Sequence, residues 1–393
     1  AATGFVALGL EITFLRLIDG VLRSNAYTFA QVLCLYLVLW AAGAALGARL
    51  LRRGVDPAAM VPWQLFAMGA GTLGSVLVVL DVLPAVGFGD RMHRWFAGDG
   101  FAGGFLTSDP VDQVLFGLVV PAAVMAVPVL VAGTLFPVLQ SLVHHADDTV
   151  GRRTGALAAS TLVGNVTGTL VVGFVLLDHL ATAGTLLALS LPLLPAPVVA
   201  AWRGRARPSR PSWAGRLALV AAAAALAVAL PANTELWAQL HDADPAHFEV
   251  VETRACVSAL RGHADGRVGG DLTINAVGQN SYPYDDFHVL IGLLPALAHP
   301  DPHDTLAVGF GIGSSSWGVL SSGRAASVTS VELCDGHYRL AERLAARGAP
   351  ELIALTDPRR HRAVVGDGRD HLSNRPDDRF DVVVTDTSRT STA

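Results

Sequence analysis

Residues 307–318 read "AVGFGIGSSSWG". The run leaves an apolar strand-like stretch, "TLAVGFG", and enters a helix-like one, "SSSWGVLSSG". Gly309, Gly311 and Gly313 fall at the carboxyl end of that strand, where residues without a Cβ let the backbone turn sharply and approach a ligand. The alternation then continues through a strand "SVTSVEL", a helix "GHYRLAERLAARG", and the strands "HRAVVGD" and "FDVVVTD". That order predicts a parallel, Rossmann-type α/β sheet. Upstream, "DDFHVLIGLLPALAHP" predicts a helix ended by His-Pro. Before it, residues 248–275 give two β-rich runs on either side of "HADG", a small antiparallel hairpin element.

Two acidic residues give the glycine turn a meaning. Glu332 ends the next strand, where a carboxylate accepts hydrogen bonds from both ribose hydroxyls. Asp367, followed by Gly368 in "VVGDGRDHL", ends a third strand and is placed to read an adenine edge. Three strand ends converging on one crevice predict a nucleoside site, against the alternative of three ordinary β-to-α turns. Ser314 stands where a nicotinamide or flavin fingerprint needs its third glycine, and the G-x-G-x-G form resembles the first motif of S-adenosylmethionine-type enzymes. The chain contains no Lys, which excludes a P-loop phosphotransferase.

The first half is built for lipid. The 393 residues are 52% hydrophobic and 16% charged, which predicts an integral membrane protein carrying a soluble part. A net charge of −5 gives no support to nucleic-acid binding. Cys34, Cys256 and Cys334 lack metal-ligand spacing, so no disulfide framework and no metal site is expected. Apolar segments long enough to cross a bilayer run over about 1–22, 27–50, 61–83, 111–142, 154–178, 182–201 and 215–231. The predicted organisation is a helical bundle over 1–231 with about seven segments, a linker over 232–247, the β element over 248–285 and the Rossmann-like domain over 286–393. The chain opens inside an apolar segment and closes just past a strand, so it reads as a fragment, truncated within the α/β domain.

Small residues four apart, Gly43 with Gly47 and Gly164 with Gly168, predict close helix packing. Arg49, Arg52 and Arg53, then Arg152 and Arg153, then Arg203, Arg205, Arg207 and Arg210 all follow even-numbered segments, which puts those loops on the cytoplasmic side. Whether 215–231 crosses or only re-enters decides on which side the soluble part lies, and both readings stay open. Glu11 and Arg16 sit about 140° apart on a helix. They fit either a polar pathway or a structural hydrogen bond with a snorkelling Arg. "HHADDTVGRR" reads as a solvated loop rather than a metal site.

Taken together, "GLLPALAHPDPHDTLAVGFGIG", the "VEL" strand, "VVGDGRDHL" and "FDVVVTD" resemble the spermidine synthase (polyamine aminopropyltransferase) family. The amino-terminal half, with "LEITFLRL", "AGTLFPVLQ" and "GRRTGALAASTLVGNVTGTLVVGFVLL", resembles its membrane-fused branch. The resemblance implies a multi-pass protein of a cell membrane, expected in a bacterial inner membrane. It also implies decarboxylated S-adenosylmethionine as co-substrate, with no tightly bound cofactor, and a small amine as acceptor. A homodimer is implied by analogy with soluble members. The nucleoside would lie over Gly309, Gly311 and Gly313, with its ribose at Glu332 and its adenine at Asp367 and Gly368. Gln279 would precede the gatekeeping segment, which keeps His288, and Asp386 would be the catalytic carboxylate that deprotonates the amine.

The departures lie on the acceptor side. The family's Asp-Ser-Ser-Asp reads "DTSR" here, placing Arg389 where the second carboxylate belongs, and Asn275 stands near an expected Asp. Three functions remain in view: an aminopropyltransferase, an S-adenosylmethionine-dependent methyltransferase, and a membrane transporter or sensor that binds a nucleoside or polyamine without turnover.

Overall fold

A computed structural model describes residues 1–22, 26–97, 110–143, 150–202, 213–375 and 378–387. They fall into two compact units, one built on Ala1–Leu22, Ala26–Met92 and Asp109–Leu236, the other chiefly on Trp237–Ala393. The helical unit contains α1 (Ala2–Leu22), α2 (Ala26–Arg52), α3 (Pro57–Leu77), α5 (Pro110–Val143), α6 (Val150–Val171), α7 (Leu177–Ser190), α8 (Ala196–Trp202) and α9 (Trp213–Ala229), while α4 (Gly89–Ala97) and α10 (Asn233–Leu240) are each divided between the two units.

Among the described residues four helices are long and apolar enough to cross a membrane: Phe29–Arg52, Pro57–Val82, Phe116–Val143 and Val150–Ser190. A fifth is gained if α9 and α10, bent at 71°, count as one span. The sequence suggested about seven, and two features account for the difference. α1 has the length but carries Glu11, Arg16 and Asp19. The segments expected over 154–178 and 182–201 meet within one apolar stretch, Val150–Ser190, which passes through a π-helical turn at Val172–Leu176 and breaks at Ala181 (φ 54°, ψ −173°), between the two. Phe29, Leu37, Val38, Trp40 and Leu46 point outward from α2, as lipid contact requires.

The glycine pairs act as backbone seams. A Cβ on Gly43 would strike the carbonyl of Leu130, and one on Gly47 would meet the Thr134 carbonyl at 2.9 Å. Gly164 and Gly168 abut the carbonyls of Ala1 and Phe5 in the same way. In both seams residue numbers rise together, so α2 runs parallel to α5 and α1 parallel to α6. Parallel pairing puts the Arg-rich end of α2 at the end of the bundle where α5 finishes and α6 begins with Arg152 and Arg153. Glu11 accepts a hydrogen bond from the Tyr36 hydroxyl, which gives it a structural role. Arg203, Arg205, Arg207 and Arg210, together with His144–Asp148 of the "HHADDTVGRR" loop, lie outside the described residues.

The second unit begins with a four-stranded antiparallel sheet in the order β1-β2-β3-β4: β1 (Phe248–Glu252), β2 (Val257–Gly262), β3 (Gly270–Ile274) and β4 (Val277–Tyr282). The sequence reading found only the β2–β3 turn. The β3–β4 hairpin turns on Asn275 (φ 46°) and Ala276 (φ 63°), a left-handed pair that no glycine announces. Asn275 Oδ1 accepts from Val257 N at 2.9 Å, so this side chain stitches the sheet.

After α11 (Asp286–Ala298) the parallel layer follows: β5 (Asp304–Val308), α12 (Ser314–Ser321), β6 (Ser327–Glu332), α13 (Asp335–Ala346), α14 (Pro350–Ala354), β7 (His361–Val365), α15 (Gly368–Asn374) and β8 (Val382–Thr385). The strands pair in parallel in the order β7-β6-β5-β8. Each strand followed by a helix needs a right-handed crossover, and the order reverses at β5, so the crevice opens beyond the carboxyl ends of β5 and β8. Ala307, Ile312, Val319, Val328, Leu340 and Leu344 fill the core.

A disulfide joins Cys256 to Cys334, with Cα atoms 5.9 Å apart, correcting the expectation of none. The cysteines are 78 residues apart, and only the packing of α13 on β1 and β2 brings them together.

Candidate functional site

The glycine turn has the backbone its sequence predicted. Gly309, Gly311 and Gly313 hold φ of 92°, 56° and 94°, a region that costs a side-chain-bearing residue about 1–3 kcal/mol. Space is closed as well: a Cβ on Gly309 would strike the carbonyl of Asp386, and one on Gly313 would lie 2.6 Å from Leu355. Gly313 also serves as the residue before α12, whose first turn is Ser314, Ser315 and Ser316, all buried.

Glu332 ends β6 and turns back onto the same loop. Its Oε2 accepts from Phe310 N at 2.8 Å and Gly311 N at 3.2 Å, and its Oε1 from Cys334 N at 3.0 Å. His337 Nδ1 lies 3.4 Å away. Burial pushes this carboxyl up, but the His337 ring and the backbone donors outweigh it and hold it down at about 2. Behind the turn, Phe310 stacks on His361 and packs on Tyr338. His361 Nε2 meets Ser330 Oγ at 2.7 Å while its Nδ1 faces the Leu355 carbonyl at 2.7 Å.

Two residues from distant parts of the sequence meet at the crevice floor. His288 Nδ1, on the inner face of α11, lies 3.0 Å from Asp386 Oδ1 at the end of β8. Ser315 Oγ donates to Asp386 Oδ2 at 2.6 Å. His288 also shares a hydrogen bond with the backbone of Gln279, so β4, α11, α12 and β8 are tied through one imidazole and one carboxylate. The Asp386 carboxylate, bonded to the ring, raises the His288 pKa above its usual value and favours the imidazolium.

Other predicted residues are placed differently. Asp367 is exposed and caps α15, accepting from Arg369 N at 2.7 Å and Asp370 N at 3.2 Å. Gly368 packs against the Val308 side chain, leaving no room for a Cβ. The Gln279 side chain turns back to the Val277 carbonyl at 3.3 Å, and its neighbour Asn280 is the one that reaches the turn, donating to Ser314 Oγ at 3.2 Å and lining Gly311. Tyr284 OH donates to the Ile312 carbonyl at 3.0 Å. The sequence reading missed Ser315 and Asn280; the serine run after Gly313 was a usable signal for the first, and strand alternation distinguishes Asn280 from Gln279. Arg389 lies outside the described residues. No group of three or more His, Cys, Asp or Glu able to hold a metal occurs among the described residues.

Solved structures of spermidine synthases are similar to part of the chain. That of the Thermotoga maritima enzyme matches with a TM-score of 0.30 and 18% identity, covering 36% of this chain and 46% of that one. A spermidine synthase in complex with the transition state analogue AdoDATO matches with a TM-score of 0.30 and 18% identity over 35% of this chain and 46% of its own. The chain thus spans about half the length of the structures it matches. No family model and no curated protein matches it.

Proposed function

We propose that this is a membrane-anchored transferase of the spermidine synthase type, moving an aminopropyl group from decarboxylated S-adenosylmethionine to an amine. The observation that carries the reading is the contact between Gly309 and the backbone of Asp386, which sets a nucleoside-cradling turn beside a carboxylate at the point where the sheet order reverses. The sequence resemblance assigns the roles: Gly309, Gly311, Gly313, Glu332, Asp367 and Gly368 to the nucleoside, Gln279 and His288 to the gate, Asp386 to the chemistry. The amine nitrogen bonds to the aminopropyl carbon, the carbon–sulfur bond breaks toward the sulfonium, and methylthioadenosine leaves. Asp386 takes the proton released by the new secondary amine.

One observation favours a second reading. The His288 ring, 3.0 Å from Asp386 and drawn toward its charged form by that carboxylate, lies beside the crevice as a group that would pair with the carboxylate only intact S-adenosylmethionine carries, so methyl transfer is the alternative chemistry.

Incubation of the detergent-purified chain with each sulfonium donor and a panel of amines, with the nucleoside product identified by mass spectrometry, decides between them. Methylthioadenosine that forms only with an amine and is lost in Asp386→Asn supports aminopropyl transfer. S-adenosylhomocysteine supports the second reading. Nucleoside binding without either product makes the unit a ligand sensor on a membrane bundle.

A further inference from the structure

We infer that α9 crosses the membrane and that the α/β unit lies on its non-cytoplasmic side, so that the crevice draws its ligands from outside the cytoplasm. This holds whichever reaction the crevice performs. Charge gives the direction. Arg203, Arg205, Arg207, Arg210 and Arg216 crowd the approach to α9 and its first turn, whereas residues 217–253 contain no Arg and carry five acidic residues. Arginine in a short segment beside a span is held in the cytoplasm, so the amino end of α9 belongs there and its carboxyl end does not. The 17 residues of α9 reach about 26 Å at 1.5 Å per residue, which is enough for a short crossing. None of them is buried, and Leu217, Val220 and Val228 point outward as lipid contact requires.

Geometry within the helical unit agrees. The apolar stretch Val150–Ser190 starts beside Arg152 and Arg153, a cytoplasmic end by the same rule, and stays helical until it breaks at Ala181. That run of helix is about 45 Å long, more than the roughly 30 Å of a hydrocarbon core, so Ala181 lies at the opposite end of the bundle. The break leaves the next amides without helical partners, and Ala183 N donates to Asn233 Oδ1 at 3.2 Å. Asn233 comes four residues after the end of α9. The exit of α9 is therefore fastened to the end of the bundle away from Arg152 and Arg153, whereas a re-entrant segment would return to the arginine end. Chemistry points the same way. The buried Cys256–Cys334 bridge ties the start of β2 to the end of β6. Cytoplasmic thiols are kept reduced, so a structural disulfide of this kind forms and persists outside.

The test locates the full chain in intact bacterial cells, with Cys34→Ala removing the free thiol. Ala264→Cys puts a new thiol on the exposed turn between β2 and β3, and Val55→Cys puts one beside Arg52 and Arg53. A membrane-impermeant maleimide is expected to label Ala264→Cys in intact cells and Val55→Cys only after permeabilisation. Labelling of Ala264→Cys only after permeabilisation overturns the inference, and labelling of both in intact cells overturns the crossing by α9. A second measurement does not depend on access of the reagent. Alkaline phosphatase, which matures only where its own disulfides form, is expected to be active when fused after Ala393, and green fluorescent protein at the same point to stay dark. An inactive phosphatase with a bright fluorescent fusion overturns the inference. The transferase reading survives either result, since its own test is the nucleoside product.

Discussion

The carbonyl of Asp386 occupies the place where a side chain on Gly309 would begin. Two strand ends that are neighbours in the sheet are therefore locked at backbone level, and the carboxylate of Asp386 is positioned by the same contact that shapes the turn. Gly309→Ala must both leave φ 92° and push this carbonyl away. It is expected to cost about 1–3 kcal/mol of stability and to weaken methylthioadenosine binding at least tenfold, measured by thermal unfolding and calorimetry on the same preparation.

Glu332 pins the turn from the other side. Glu332→Gln keeps the shape but forfeits the charge that holds three backbone N–H groups, so nucleoside affinity and unfolding temperature fall together. Its carboxyl is depressed from 4.5 to about 2, so its contribution is fully present above pH 4.5 and is lost as the pH falls toward 2. Unfolding scans between pH 5 and about 2 on wild type and Glu332→Gln check this; the variant lacks that part of the acid limb.

His361 supplies an earlier acid limb. Burial lowers its pKa below 6.5 and outweighs the Leu355 carbonyl at Nδ1, which pulls the other way. A depressed folded-state value means its contribution is present above the unfolded pKa of about 6.5 and declines as the pH drops below it. Stability of the α/β unit is expected to fall between pH 7 and 5 in wild type and to fall less in His361→Gln, with Phe310 fluorescence or amide exchange at the turn reporting the coupling to the site.

The Cys256–Cys334 bridge closes a loop of 78 residues, which by chain entropy stabilises the folded unit by about 4 kcal/mol. Non-reducing peptide mapping should recover the cross-linked pair, and a reductant or Cys256→Ser should lower the unfolding temperature. Because Cys334 N also donates to Glu332, nucleoside affinity should weaken with it.

The strand and helix order of the parallel layer was readable from "TLAVGFGIG" onward because each strand is a short apolar run closed by Gly or an acid. The glycine positions were readable because a left-handed backbone and close approach both demand the absence of a Cβ. What escaped were relations that only packing creates. His288 and Asp386 are 98 residues apart, and nothing in either neighbourhood announces the other. Asp367 shows that one acid can carry two readings: at a strand end followed by Gly-Arg-Asp it also caps α15, a local role that the nucleoside reading did not include. The boundary between 154–178 and 182–201 was legible, since the backbone breaks at Ala181, whereas no residue type announces the π turn at Val172–Leu176.

The parallel seams of α1 with α6 and of α2 with α5 bear on how the protein is made. Gly43 and Gly47 on α2 emerge from the ribosome long before α5, which fits them, whereas Gly164 and Gly168 on α6 emerge long after α1. Their backbone-to-backbone docking begins only after α5 and α6 have been synthesised, which makes Gly43 and Gly47 determinants of biogenesis as much as of the finished bundle.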